Sequence, residues 1–136
     1  MSIRVIGVIF LALVASAGAG WLTGSSGRSV LERERAAIES RAEFSEARAL
    51  ILEGRVSLFI SNFGDAIQRF QQAGQRIGAI QSRLRAIGQV EQASRLQIAI
   101  SSLGDAQRSA AGFDTTKAQA SADQALGALR AASGGN

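Results

Sequence analysis

From Ser29 to Ser133 the chain holds no proline and few β-branched runs, and its apolar side chains recur in alternating steps of three and four residues. A mean step of about 3.5 residues is the seam of helices packed lengthwise against one another. It is incompatible with the two-residue alternation of a half-buried strand. Ala, Leu, Gln, Glu and Arg, all strong helix formers, dominate the same stretch. The expected fold class is all-α.

The spacing predicts four helices, at about 29–61, 64–87, 89–111 and 115–132. In the first, positions 31, 35, 38, 42, 45, 49, 52, 56, 59 and 63 follow the period, and eight of the ten are apolar. In the second, Ala66, Phe70, Ala73, Ile77, Ile80, Leu84 and Ile87 follow it without exception. The third carries Leu96, Ala99, Leu103, Ala106 and Ala110, with Ile100 beside them, and the fourth Ala118, Ala122, Ala125, Leu129 and Ala132. Phe44, Phe59, Phe63, Phe70 and Phe113 are expected in the core. Asn62-Phe63-Gly64-Asp65 offers a helix stop and an Asp cap, Gly88 a second stop, and Gly112-Phe113-Asp114-Thr115 a third stop and cap. Connections this short favour antiparallel neighbours, hence helical hairpins or a small up-down bundle. Where alanine dominates, helices approach closely but each residue buries little area, so modest stability is expected.

The N-terminal region is of another kind. After Met1–Arg4, the basic start, residues 5–22 (VIGVIFLALVASAGAGWL) carry no charge. About 18 residues span about 27 Å as a helix, the short end of a transmembrane segment. Trp21 then suits the interface. Ala15-Ser16-Ala17 also fits the cleavage site of a secretory signal peptide. The anchor is the favoured reading. Ala12, Ser16, Gly20 and Gly24 recur at every fourth position, as residues that let two membrane helices pack closely do. Residues 23–28 (TGSSGR) read as a hinge, residues 29–133 as the helical body and residues 134–136 as a disordered tail.

Composition excludes much chemistry. The chain of 136 residues has no Cys, His, Tyr or Pro. It therefore has no Cys/His zinc site, no thiol nucleophile and no imidazole base. No calcium loop, phosphate-binding loop or dinucleotide fingerprint occurs. No catalytic residue, cofactor, metal or small-molecule substrate is expected, and the protein is read as no enzyme. The net charge of +4 rests on fourteen Arg and one Lys against eleven acids. No nucleic-acid-binding motif accompanies it, and no aromatic interleaves with the basic residues, so nucleic acid is not an expected partner.

The charges are patterned. Glu32, Glu39, Glu46 and Glu53 recur at every seventh residue of the first helix, and Arg69, Arg76 and Arg83 at every seventh residue of the second. An antiparallel hairpin turning near Phe63 brings each Arg within about a turn of a Glu. The expectation is a ladder of ion pairs, Glu39, Glu46 and Glu53 against Arg69, Arg76 and Arg83, that sets register more than stability. The rival use of the Arg stripe is binding to anionic lipid or an acidic partner.

Residues 54–66 (GRVSLFISNFGDA) and 94–106 (SRLQIAISSLGDA) match at an offset of 40, a helical-repeat signal. The segment Ala49–Ala73 resembles a tetratricopeptide (TPR) repeat. Gly54 falls at the small position of the family's first helix, and Phe63 at the aromatic before the turn. Ala66, Phe70 and Ala73 fall at the small, aromatic and small positions of its second helix. Ser57 stands where the family prefers an aromatic, no Pro closes the unit, and the second copy has Ala110 for its aromatic. In the family these are packing positions, so the resemblance implies a protein-interaction scaffold.

The whole chain resembles bacterial proteins with one N-terminal membrane segment and a small TPR-like helical body. The expected function is therefore a membrane-tethered, non-catalytic scaffold or interaction module in the inner membrane. Its body is expected on the periplasmic side, although Arg28, Arg33 and Arg35 leave the cytoplasmic side open. Its expected partner is a protein or a second copy of the chain. The alternatives are a secreted helical binding protein, cleaved near Ala17, and a helical accessory subunit of a larger membrane complex.

Overall fold

A computed structural model describes residues 31–134 other than Arg33. The expected membrane segment and hinge, with Ala12, Ser16, Gly20 and Gly24, lie outside the described residues, as does the tail beyond Gly134. The described residues fall into two units that divide between Glu39 and Ser40. The described residues of the first are helical and exposed, Leu31 and Ile38 among them.

The second unit is all-helical, with no strand among the described residues. Helix α1 covers residues 40–59 of this unit, and α2 (Phe63–Ala86), α3 (Val90–Ala111) and α4 (Thr115–Ala132) follow. None is long and apolar enough to cross a membrane. Cross-helix bonds define the topology. Glu46 meets Arg76 between α1 and α2, and Gln81 meets Gln97 between α2 and α3. Arg95 reaches the Ala131 carbonyl between α3 and α4, and Arg55 meets Gln119 and Asp123 between α4 and α1. Each pair runs antiparallel and the fourth helix closes on the first, so the unit is an up-down four-helix bundle.

The three connections share one chemistry. Each is a Schellman close followed at once by the next N-cap. The amides of Ser61 and Asn62 return to the carbonyls of Leu58 and Ser57. Those of Gly88 and Gln89 return to Arg85 and Leu84, and those of Phe113 and Asp114 to Ala110 and Ser109. The left-handed residue is Ser61 (φ 58°), Gly88 (φ 80°) and Phe113 (φ 58°) in turn. Gly88 is thus a stop as expected, whereas Gly64 lies inside α2 and Gly112 keeps a negative φ. The cap of α2 is Asn62, whose Oδ1 accepts from the Asp65 amide at 3.3 Å, and Asp65 sits in the first turn. There its charge favours the positive end of the helix dipole, as Arg83 and Arg85 favour the opposite end. Asp114 caps α4, accepting from the Lys117 amide at 3.0 Å.

The seams of α2, α3 and α4 lie where the sequence puts them. Ala66, Phe70, Ala73, Ile77, Ile80 and Leu84 are buried, as are the five seam residues of α3 and the five of α4. Only Ile87, past the end of α2, is exposed. The seam expected for α1 does not pack. Ala42, Ser45, Ala49, Leu52, Val56 and Phe59 face solvent, and α1 instead buries Ala47, Ile51, Gly54 and Leu58, with Phe44 half-buried. That second stripe has the same period, and close packing selects it. An ideal Cβ on Gly54 would stand 2.6 Å from Cε1 of Phe70, so the absent side chain is the space the ring occupies. Among the described aromatic residues only Phe70 is fully buried. Phe44 and Phe63 are half-buried, and Phe59 and Phe113, expected in the core, are 85% and 73% exposed.

The two copies of the offset-40 match adopt different conformations. Residues 54–66 form the end of α1, the turn and the start of α2, whereas 94–106 lie wholly inside α3, continuous through Gly104. In the second copy Ser102 stands at the position of Asn62, and the helix runs on through it.

Glycine substitutions separate the interlock from helix propensity. Gly54→Ala is expected to destabilise despite the gain of about 1 kcal/mol from helix propensity, because overpacking against a buried ring costs about 1–3 kcal/mol. Gly74 and Gly127 face open space, so Gly74→Ala and Gly127→Ala should each stabilise by about 0.5–1 kcal/mol in urea unfolding.

The Asp114 carboxyl is held below the ordinary carboxylate range, chiefly by the Lys117 backbone amide, and also by the Lys117 ammonium. A lowered folded pKa contributes stability above the unfolded value of about 3.9. That contribution is lost as pH falls through the folded pKa. Asp114→Asn keeps a capping oxygen without the titration. The wild type should therefore show an acid-dependent fall in melting temperature below about pH 4 that the variant shows less strongly.

Candidate interaction surface

The four helices leave α1 with two faces. One packs into the bundle through Ala47, Ile51, Gly54 and Leu58. On the opposite side of the helix lie Ala42, Ser45, Ala49, Leu52, Val56 and Phe59, spaced three and four residues apart, with Ile60 at the end. At 100° per residue the two stripes are about half a turn apart. Large apolar groups concentrate at the C-terminal end, where Val56 and Ile60 are 61% and 66% exposed beside the more exposed Phe59. Scattered apolar residues on a surface are ordinary, but a contiguous helical stripe is a candidate contact surface.

Two shallow hollows border this stripe. One, between α1 and α4, is lined by Leu52, Arg55, Val56, Phe59 and Gln119. The other, between α1 and α2, is lined by Leu52, Glu53, Val56, Ser57, Asp65 and Arg69. Ion pairs stiffen both borders. On the α2 side Arg69 meets Glu53 at 3.0 Å, Arg76 meets Glu46 at 2.6 Å and Arg83 meets Glu43 at 2.5 Å. The structure thus brings together five of the six expected ladder residues. Glu39 is exposed without a basic partner among the described residues, and Glu43 makes the third rung. The reason is the antiparallel register, which sets Arg83 opposite position 43, about one turn from Glu39. On the α4 side Arg55 donates to Gln119 Oε1 at 2.9 Å and pairs with Asp123 at 2.9 Å, while Gln119 donates back to the Arg55 carbonyl.

The hairpin turn beneath the stripe is fastened by polar groups. Ser57 is buried, and its hydroxyl donates to Asp65 Oδ2 at 2.5 Å with the Glu53 carbonyl 3.0 Å away. Ser57 thus meets the next helix's first turn, in the place where an aromatic was the resemblance's preference. Ala66, Phe70 and Ala73 are fully buried and Phe63 is half-buried, its ring edge-on to Phe113 at 5.1 Å. Gly54, Phe63, Ala66, Phe70 and Ala73 therefore sit around one α1–α2 hairpin and position the outward face of α1.

Among the described residues no group of acidic side chains is placed to hold a metal ion. The outward stripe is the one whose spacing predicts a core seam. The signal that separates the two faces is Gly54, which marks the face that receives a ring. No protein-family model, no curated protein and no solved structure matches the chain.

The rungs differ in which partner is covered: Arg83 is 60% exposed against 38% for Arg69. The Glu43 side chain is 21% exposed, that of Glu53 53%. Double-mutant cycles with Gln at both partners should give a coupling of about 1 kcal/mol or less for both Glu43–Arg83 and Glu53–Arg69, weakened by salt. No coupling at either rung would remove the ladder as a register device.

Proposed function

We propose that the chain is a membrane-tethered, non-catalytic interaction module that presents the outward face of α1 to another polypeptide. The observation that carries this reading is the apolar stripe Leu52–Val56–Phe59 on a helix whose opposite face already packs. The uncharged run at residues 5–22 supports the tether, and the export pattern of a short basic start supports a body held on the periplasmic side of the inner membrane. The hairpin around Gly54 and Phe70 supports the TPR-like reading, in which packing residues hold a surface rather than perform chemistry.

The test uses the full chain in a bacterial host. Intact mass in the membrane and soluble fractions is measured first, and a photo-crosslinking residue then replaces Phe59. The expected outcome is an uncut chain in the membrane fraction and a protein crosslink from position 59 that is absent when the label replaces exposed Gln124 on α4. A soluble chain beginning near Gly18 would replace the tether with the secreted reading. Equal labelling from both positions would remove the α1 surface as a binding site.

A further inference from the structure

We propose that the outward face of α1 pairs with the same face of a second copy, parallel and in register; the inference rests on the interaction-module reading and names its partner.

The period of the stripe is that of a two-helix seam. In coiled-coil terms Ala42, Ala49 and Val56 occupy a positions and Ser45, Leu52 and Phe59 d positions. The residues flanking such a seam decide partner and direction. Here Glu46, Glu53 and Ile60 occupy e, and Arg41, Arg48 and Arg55 occupy g. In a parallel pair each g residue meets the e residue five positions further along the partner helix. Arg41 then meets Glu46 of the second copy and Arg48 meets its Glu53, and the two-fold axis repeats both pairs. In an antiparallel pair g meets g and e meets e, which sets Arg against Arg and Glu against Glu. The charges therefore select self-pairing in one direction.

The bonds within the bundle fit this arrangement. Arg55 is the one g residue of the three whose parallel partner, Ile60, is uncharged, and it is the one engaged inside its own chain, by Gln119 and Asp123. Arg41 and Arg48 are exposed and have no acidic partner among the described residues. Glu46 and Glu53 each contact an α2 arginine through one carboxylate oxygen and are 50% and 53% exposed, so each can accept a second guanidinium. Small residues at 42, 45 and 49 allow close approach, and Leu52, Val56 and Phe59 supply the apolar area. Upstream the sequence puts Arg35 at an a position and Glu34 against Glu39, so pairing is strongest over residues 41–59.

The chain contains no cysteine, so single thiols report geometry cleanly. The full chain, extracted in mild detergent, is oxidised as Ser45→Cys, with Gln124→Cys as the control on α4. Ser45→Cys is expected to form a disulfide-linked dimer in most of the protein, and Gln124→Cys to remain monomeric on a non-reducing gel. Adding Leu52→Glu with Val56→Glu, or Arg41→Glu with Arg48→Glu, should reduce the Ser45→Cys dimer to the control's level. Circular dichroism should keep its helical signal, because all four positions are exposed. Failure of the Ser45 thiols to join overturns the proposal. So does joining that survives both sets of surface changes, which would place the dimer contact elsewhere. In a mixture of Ser45→Cys and Val56→Cys copies, disulfides between unlike copies in preference to like ones overturn the parallel register. A crosslink from Phe59 to a different polypeptide, with no Ser45→Cys dimer, also overturns self-pairing while leaving the interaction-module reading standing.

Discussion

The contact on which the bundle depends is the ring of Phe70 set into the space above Gly54. Among the described residues Phe70 is the largest fully buried side chain, in a core of twenty apolar residues of which eleven are alanine. Alanine seams bring helices close but contribute little burial each, so one aromatic carries a disproportionate share of the packing. It can do so only where the facing helix has no Cβ. That requirement orients α1 about its own axis. Once Gly54 faces α2, Ala47, Ile51 and Leu58 turn inward with it, and Leu52, Val56 and Phe59 turn out.

Polar chemistry then holds what the interlock orients. The Ser57–Asp65 bond and the Asn62 cap fasten the turn, and three rungs between α1 and α2 hold the antiparallel register. Buried Gln81 donates to the Ala93 carbonyl at 2.9 Å and to Gln97, tying α2 to α3. Among the described residues every buried side-chain polar atom finds a partner. Left-handed Ser61 and Phe113 do at two turns what Gly88 does at the third, at a conformational cost that glycine avoids. At Phe113 the edge-on contact with Phe63 offsets part of that cost.

The surface that results is directional. A carboxylate border toward α2 and a guanidinium border toward α4 flank an apolar stripe, and the borders differ in sign because the sequence repeats both charges at seven-residue intervals. In the proposed pairing this sets direction, since a reversed copy meets like charges.

How much of this the sequence determines depends on the helix. All-α class, four helices, short connections and the seams of α2, α3 and α4 follow from spacing alone, because each of those helices has one apolar stripe and only one face can be buried. Helix α1 has two stripes of equal period. Periodicity cannot rank them, and the richer one in apolar residues is the one left outside. The repeated SLGDA-type segment shows the same limit: Gly64-Asp65 follows an Asn cap and starts a helix, while Gly104-Asp105 lies in the middle of one. The Glu43 rung likewise depends on the tertiary register rather than on the seven-residue pattern. Local composition and period determined which segments are helical and which charges lie along them. Only the tertiary structure decided which face of α1 is core, because that choice rests on a three-dimensional fit between an absent side chain on one helix and a ring on another.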